Sequence, residues 1–220
     1  MKNSNLYDVW ITADLHLKHK NILNHQVNRI DSMNLRDNED IENHDRYIIK
    51  MWHNLVKRGD HVYVLGDFIL SNQQESLNIL NILKSKGCKI HLIVGNHDKS
   101  TQRMFNMFES IDFIKNVTFK KDTFSFLDED FMCVMCHYPM KSWTNKCRGA
   151  MSLYGHVHNN ASWCDEGSDL SLNVGLDNPL CNYRLFNLEE IYSIYKNKLN
   201  GLIPKEYIEK VTKEDKFFVR

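Results

Sequence analysis

The chain has little of what would divide it, anchor it or cross-link it. Only 3 prolines occur in 220 residues. No internal repeat, low-complexity tract or Pro/Gly-rich stretch offers a linker, so one domain spanning residues 1–220 is expected, long enough for a substantial core. No apolar run approaches the ~20 residues that a membrane-spanning helix needs, and the opening Met1-Lys2-Asn3-Ser4-Asn5 lacks the apolar stretch of a secretion signal. These absences predict a cytoplasmic protein with no membrane partner. Net charge is missing too: 28 basic residues balance 28 acidic ones, which argues against affinity built on wholesale attraction to a phosphate backbone. Of the six cysteines, three end or lie inside apolar strand-like runs, so reduced thiols are expected rather than disulfides. The lone Cys133-x-x-Cys136 pair would face opposite sides of a strand and does not read as a zinc site.

What the chain does have is an alternation of strand and helix signals, the mark of an α/β fold. Residues 38–56 carry Ile41, Ile48, Trp52 and Leu55 at helical spacing. Residues 73–86 do the same through Leu77, Leu80 and Leu83, then stop at Gly87. A short helix is expected around residues 101–108. Residues 113–119, 123–127 and 131–136 read as antiparallel strands, with Asp128-Glu129-Asp130 as a turn. Strands at 170–174 and 183–186 and a helix at 188–198 follow. The polar loops 32–37 and 159–169 are candidates to border a cleft.

Five of the apolar runs end in side chains that bind metals. Residues 7–12 lead into Asp14-Leu15-His16, and 61–65 lead into Gly66-Asp67. Residues 89–94 lead into Gly95-Asn96-His97-Asp98, 131–136 into His137, and 151–154 into Gly155-His156-Val157-His158. Ligands at the carboxyl ends of strands converge on one edge of a sheet, where open α/β folds place their sites. Asp, His and Asn in this mixture describe a two-metal hydrolytic centre. Two ions roughly 3.5–4 Å apart can clamp the attacking and leaving oxygens of a phosphoryl transfer. Holding them so close requires an anionic bridge, for which Asp67 is the candidate. A nitrogen and oxygen donor set without thiolate suits Mn, Fe, Zn or Co, with Mn favoured for assay.

The ordered motifs, from residue 14 to residue 158, resemble the calcineurin-like metallophosphoesterase superfamily. Asp14-Leu15-His16-Leu17-Lys18-His19-Lys20-Asn21-Ile22, His137-Tyr138-Pro139 with Trp143, Asn173-Val174-Gly175-x-Asp177 and Asn182-Tyr183-Arg184 are similar to one small bacterial and phage branch of it. The resemblance implies a four-layer α/β/β/α sandwich, two mixed sheets flanked by helices. It implies two divalent metal ions, the first held by Asp14, His16, Asp67 and His158, the second by Asp67, Asn96, His137 and His156. His156 and His158 lie two residues apart, so a bend after Gly155 must let them reach different metals. His97 is implied to assist the leaving group or bind the phosphate. Asp98 either orients it or closes the loop through hydrogen bonds. His19, Asn96 and Trp143 are candidate substrate contacts, while His25, His44, His53, His61 and His91 read as structural.

The implied activity is hydrolysis of a phosphate ester by a metal-bound water whose pKa is lowered towards ~7. The substrate leaning is towards a small phosphodiester, a cyclic nucleotide or an oligonucleotide end. His97 suits a poor leaving group, and Lys18, Lys20, Lys141, Lys146 and Arg148 lie near the motifs. The alternatives are a phosphomonoesterase, a dinucleoside polyphosphate hydrolase or a non-catalytic scaffold of the same fold. Retention of every ligand and of His97 argues against the scaffold. In Gly66-Asp67-Phe68-Ile69-Leu70-Ser71-Asn72 the second Asp and the Arg of the serine/threonine phosphatases are absent, which argues against that branch.

Overall fold

A computed structural model describes residues 7–159 and 170–201. Loop 159–169 beyond Asn159, Cys164 and the tail 203–220 lie outside the described residues. In chain order the elements are β1 (Val9–Thr12), α1 (Ile22–His25), α2 (Asn28–Ser32), α3 (Ile41–Leu55), β2 (His61–Val64), α4 (Gln73–Lys84) and β3 (Lys89–Ile93). Then follow β4 (Ser110–Asp112), β5 (Ile114–Phe119), β6 (Phe131–Cys136), β7 (Met151–Tyr154), β8 (Ser171–Asn173), β9 (Phe186–Asn187) and α5 (Leu188–Leu199). Two mixed sheets with flanking helices result, the α/β architecture expected. The first runs β4-β3-β2-β1-β9 and the second β5-β6-β7-β8.

Parallel pairing levels the strand ends. Thr12 sits opposite Val64, and Val64 opposite Leu92, so the carboxyl ends of β1, β2 and β3 share one edge. The second sheet joins them there. Ala13 donates its N–H to Val174 O at 3.1 Å, and Leu176 N–H reaches Ala13 O at 3.0 Å. The segment after β1 thus pairs with the segment after β8, and the loops of both sheets open onto one place.

Strands buried on both faces form the centre, so they read as continuous apolar runs rather than alternating ones. Between the sheets, Ile11, Leu65 and Ile93 meet Cys133, Met135, Leu153 and Leu172, and α5 packs on this layer through Ile191 and Tyr195. On the far side of the first sheet, Val62, Val64, Ile90 and Leu92 are covered by Ile48 and Trp52 of α3 and by Leu80 and Leu83 of α4. Two of the helices begin at a capping side chain: Asn72 accepts from Glu75 N–H at 3.0 Å, and Asn187 forms a capping box with Glu190. Among the described residues, no helix is long and apolar enough to cross a membrane.

Three local expectations give way. Residues 123–127 form turns, not a strand, because Phe124 and Leu127 are drawn into the inter-sheet core while Thr123 and Leu127 N–H groups bond to Lys120 and Phe124 carbonyls. Residues 101–108 form two separate single-turn helices, Thr101–Arg103 and Phe105–Met107. Of residues 183–186 only Phe186 enters a sheet, since Asn182 and Tyr183 take left-handed φ values of 47° and 57°. The three-residue β4 and the short α1 and α2 had no periodicity to announce them.

Trp52 is fully buried, bonds to Leu83 O at 3.2 Å and stacks against Phe68 with ring centroids 6.1 Å apart. Trp52→Ala is expected to destabilise the fold by about 3–5 kcal/mol in urea denaturation; a loss below about 1 kcal/mol would contradict this packing.

Candidate metal centre

The site is built on strained backbone. Asp14, His16, Asp67, His156 and His158 have φ between 51° and 71°, the left-handed region that residues other than glycine rarely adopt. Hydrogen bonds between motifs hold them there. Asp14 N–H bonds to Gly66 O at 3.0 Å and His16 N–H to Asp67 O at 2.9 Å. The bend needed after Gly155 is present at both of the histidines that follow it. Close approach also demands glycine, as at Gly66 and Gly155. A Cβ on Gly66 would collide with the His137 ring, and one on Gly155 would lie 2.6 Å from Asp14 Oδ2.

Two groups of donors emerge, Asp14 with His16 and His158, and Asp67 with His137 and His156, the ligand atoms of each lying within 4.8 Å of one another. Asp67 sits between them. Its Oδ2 is 3.7 Å from His16 Nε2 and 3.6 Å from His137 Nε2, one imidazole from each group. Its Oδ1 accepts the His97 N–H at 2.9 Å. Asn96 Oδ1 lies 3.0 Å from His137 Nε2. His137 Nδ1 donates to Leu65 O at 2.8 Å, which turns Nε2 towards Asn96 Oδ1 and Asp67 Oδ2. His158 Nδ1 pairs with Asp177 Oδ2 at 2.6 Å, the outer contact that orients a metal-binding imidazole.

A cation fits this arrangement. Both nitrogens of His16 are buried with no hydrogen-bond partner, a costly state that metal ligation relieves. Burial, followed by the nearby Arg29 charge, holds the His16 pKa well below its usual value, and burial likewise lowers that of His156. Both rings are therefore neutral and able to ligate. Burial pushes the Asp14 carboxyl up to about 6. At His158 burial opposes protonation, but the Asp177 hydrogen bond and the Asp14 charge outweigh it and raise the pKa.

The remaining candidates divide. The His19 ring lies 5.2 Å from that of His16, and the His97 ring lies 5.7 Å from His16 and 5.8 Å from His19, so two further imidazoles border the first group. Asn96 and His97 are exposed at the rim. Asp98 is buried, its oxygens accepting the N–H groups of Asp67 at 2.8 Å, Phe68 at 3.0 Å and Gly95 at 2.8 Å, which is the loop-closing arrangement. Trp143 is not brought to the centre. It is buried against Val134 and Ala150 on the outer face of the second sheet, with its indole N–H on Ala150 O at 2.7 Å, so packing has claimed the ring expected to stack on substrate. Lys146 lies over that ring, 4.3 Å from its centroid, and Lys18 pairs with Asp45 at 3.5 Å. Asp177 and Arg29, which back the site, carry no sequence signal of that role beyond the position of Asp177 in its short motif.

The family model for calcineurin-like phosphoesterases matches residues 7–198. The chain belongs to this family. Among its relatives, the gene 66 protein of Mycobacterium phage L5 is 24% identical over 207 residues, covering 85% of this chain and 93% of that protein. An uncharacterized protein of Methanocaldococcus jannaschii is 27% identical over 193 residues, covering 84% and 90% respectively. The crystal structure of a protein of unknown function from Aquifex aeolicus superposes with a TM-score of 0.60 at 21% identity, covering 86% of this chain and 99% of that one, a likeness of fold. Calcineurin-like phosphoesterases depend on a dinuclear metal centre, and the two donor groups are candidate sites for it. Membership and donor groups together support metal-dependent phosphoester hydrolysis.

For Asp14, a folded-state pKa raised from 3.8 to about 6 gives the metal-free protein stability that is full below the unfolded pKa and lost as pH rises through 6. Cations need the ionised carboxylate, so the Tm increase on adding Mn²⁺ is expected to be larger at about pH 7.5 than at about pH 5. A Tm increase independent of pH in thermal melts would contradict a metal role for Asp14.

Proposed function

We propose that this phosphoesterase hydrolyses a small phosphodiester, such as a cyclic nucleotide or the end of a short oligonucleotide. The observation that carries the reading is Asp67 Oδ2, set 3.7 Å and 3.6 Å from one imidazole of each donor group, with the His97 and His19 rings beside the first. Asp14, His16, Asp67 and His158 would hold one divalent ion, and Asp67, Asn96, His137 and His156 the other. Mn, Fe, Zn or Co suits these donors. When bound, such ions supply the charge that neutralises phosphate oxygens and activates water.

The chain's own residues do the rest. His97 holds a proton at the exposed rim and delivers it to the departing ester oxygen, a contribution of typically ~10²–10⁴ in rate. Asp67 Oδ1 fixes the backbone from which that ring projects. His19, whose Nδ1 is buried without a partner, would bind a phosphate oxygen beside the first ion, and Asn96 would serve both ion and substrate. Asp98 acts through the loop it closes, as a positioning residue. The diester preference follows from His97, because an alkoxide departs poorly without a proton. The cysteines among the described residues are free, as in a reducing compartment such as the cytoplasm.

Mn²⁺-loaded protein is expected to hydrolyse bis(p-nitrophenyl) phosphate and to lose that activity in EDTA; no turnover with Mn, Fe, Zn or Co would sink the reading. A panel of monoesters, cyclic nucleotides, dinucleoside polyphosphates and short RNA and DNA then fixes the substrate, and a monoester preferred throughout would overturn the diester choice. Asp67→Asn is expected to lose activity and metal together, since the bridge loses its charge. His97→Ala should keep its metals yet slow alkyl diesters far more than activated aryl esters; equal slowing would assign His97 to phosphate binding instead.

A further inference from the structure

Arg29 has no exposed surface at all (0%) and is the only side chain that α2 buries. A five-residue helix at the surface is thus anchored by an arginine where an apolar residue would ordinarily serve. Every nitrogen of its guanidinium is used. Nε and Nη2 reach Asp177 Oδ1 and Oδ2 at 2.7 Å each, the bidentate fork that only arginine offers. Nη2 also donates to Asp14 O at 2.7 Å and Nη1 to Leu15 O at 3.2 Å, while Nη1 lies 3.0 Å from His44 Nε2.

These contacts lead into the donor group of the first metal position from two sides. Asp177 Oδ2, held by Arg29, receives His158 Nδ1 at 2.6 Å. The carbonyls of Asp14 and Leu15 belong to the segment in which Asp14, His16 and Lys18 all take left-handed φ, at 57°, 52° and 65°. His44 continues the chain, its Nδ1 meeting Asp45 Oδ1 at 3.0 Å, and Asp45 accepts the Lys18 N–H at 3.2 Å and 3.3 Å. One run of hydrogen bonds therefore joins His158, through Asp177, Arg29, His44 and Asp45, to the far end of the strained segment.

A buried ion pair is weak evidence for stability, because apolar residues of similar volume commonly hold a fold as well. Its geometry explains more than its energy. We propose that Arg29 is the positioning residue of the metal position formed by Asp14, His16 and His158. One guanidinium sets the backbone that carries Asp14 and His16 and, through Asp177, the ring of His158. Among the described residues, the position formed by Asp67, His137 and His156 meets no buried guanidinium and is assembled by the loops after β2, β6 and β7. The inference rests on the two-metal reading of the site.

Arg29→Lys separates positioning from folding, since it keeps the charge and removes the fork. Mn²⁺ binding is followed by calorimetry and electron paramagnetic resonance, with circular dichroism and Tm recorded alongside. The wild type is expected to bind two Mn²⁺ and show an exchange-coupled spectrum. The variant is expected to bind one Mn²⁺ as before and the other about 10–100-fold more weakly, replacing the coupled spectrum with that of an isolated ion. Two ions at wild-type affinity with the coupled signal would overturn the inference, as would equal weakening of both alongside a fallen Tm, which marks a role in folding alone. Should Arg29→Lys fail to fold, Asp177→Asn, which leaves an amide that still hydrogen-bonds, is expected to lose the same ion, and intact two-metal binding there overturns the inference. A wild type that binds no divalent ion would remove the metal-centre reading and this inference together, whereas two ions in both proteins would remove this inference alone.

Discussion

Asp67 is held at the end of β2 so that one carboxylate oxygen is tied to the protein while the other is left between two imidazoles, and most of the site follows from that division. Oδ1 takes the His97 N–H, the backbone N–H of Asp67 goes to Asp98, and its carbonyl takes the His16 N–H. These three groups thus tie Asp67 to two other motifs, Gly95–Asp98 and Asp14–His16, and left-handed backbone at φ 53° is what lets them do so at once. Oδ2 is then left 3.7 Å and 3.6 Å from one imidazole nitrogen of each donor group, a cluster that a divalent cation would bind.

The two sheets matter to this arrangement as a means of delivery. Level parallel strand ends bring the loops after β1, β2 and β3 to one edge, and the Ala13 pairing with Val174 and Leu176 brings in the loops after β6 and β7. His137 and His156 come from the second sheet and Asp14, His16 and Asp67 from the first, so neither sheet alone carries a complete donor set. Strain at five of the donor residues is sustained because both sheets and the Asp98 and Arg29 contacts over-determine it.

Most of this was legible in the chain because its signals are local. The donors stand directly after apolar runs, and helices such as Gln73–Lys84 show their period and their cap within a dozen residues. What was not legible depends on distant partners. Arg29 meets Asp177 across 148 positions, from a helix too short to show a period, and nothing near either residue announces the pair. Phe124 and Leu127 carry the composition of a strand but belong to turns, since the core takes their side chains and leaves the backbone unpaired with a neighbour. Trp143 followed a motif residue in the sequence, yet the chain turns and lays its ring on the outer face of the second sheet. Proximity along the chain suggested a contact that packing then denied.

Anomalous diffraction from Mn²⁺-loaded crystals is the test of whether Asp67 is shared between two metal positions. Two peaks about 3.5–4 Å apart are expected, one among Asp14, His16 and His158, the other among Asn96, His137 and His156, with Asp67 Oδ2 ligating both. A single peak, or two peaks of which only one touches Asp67, would contradict the account.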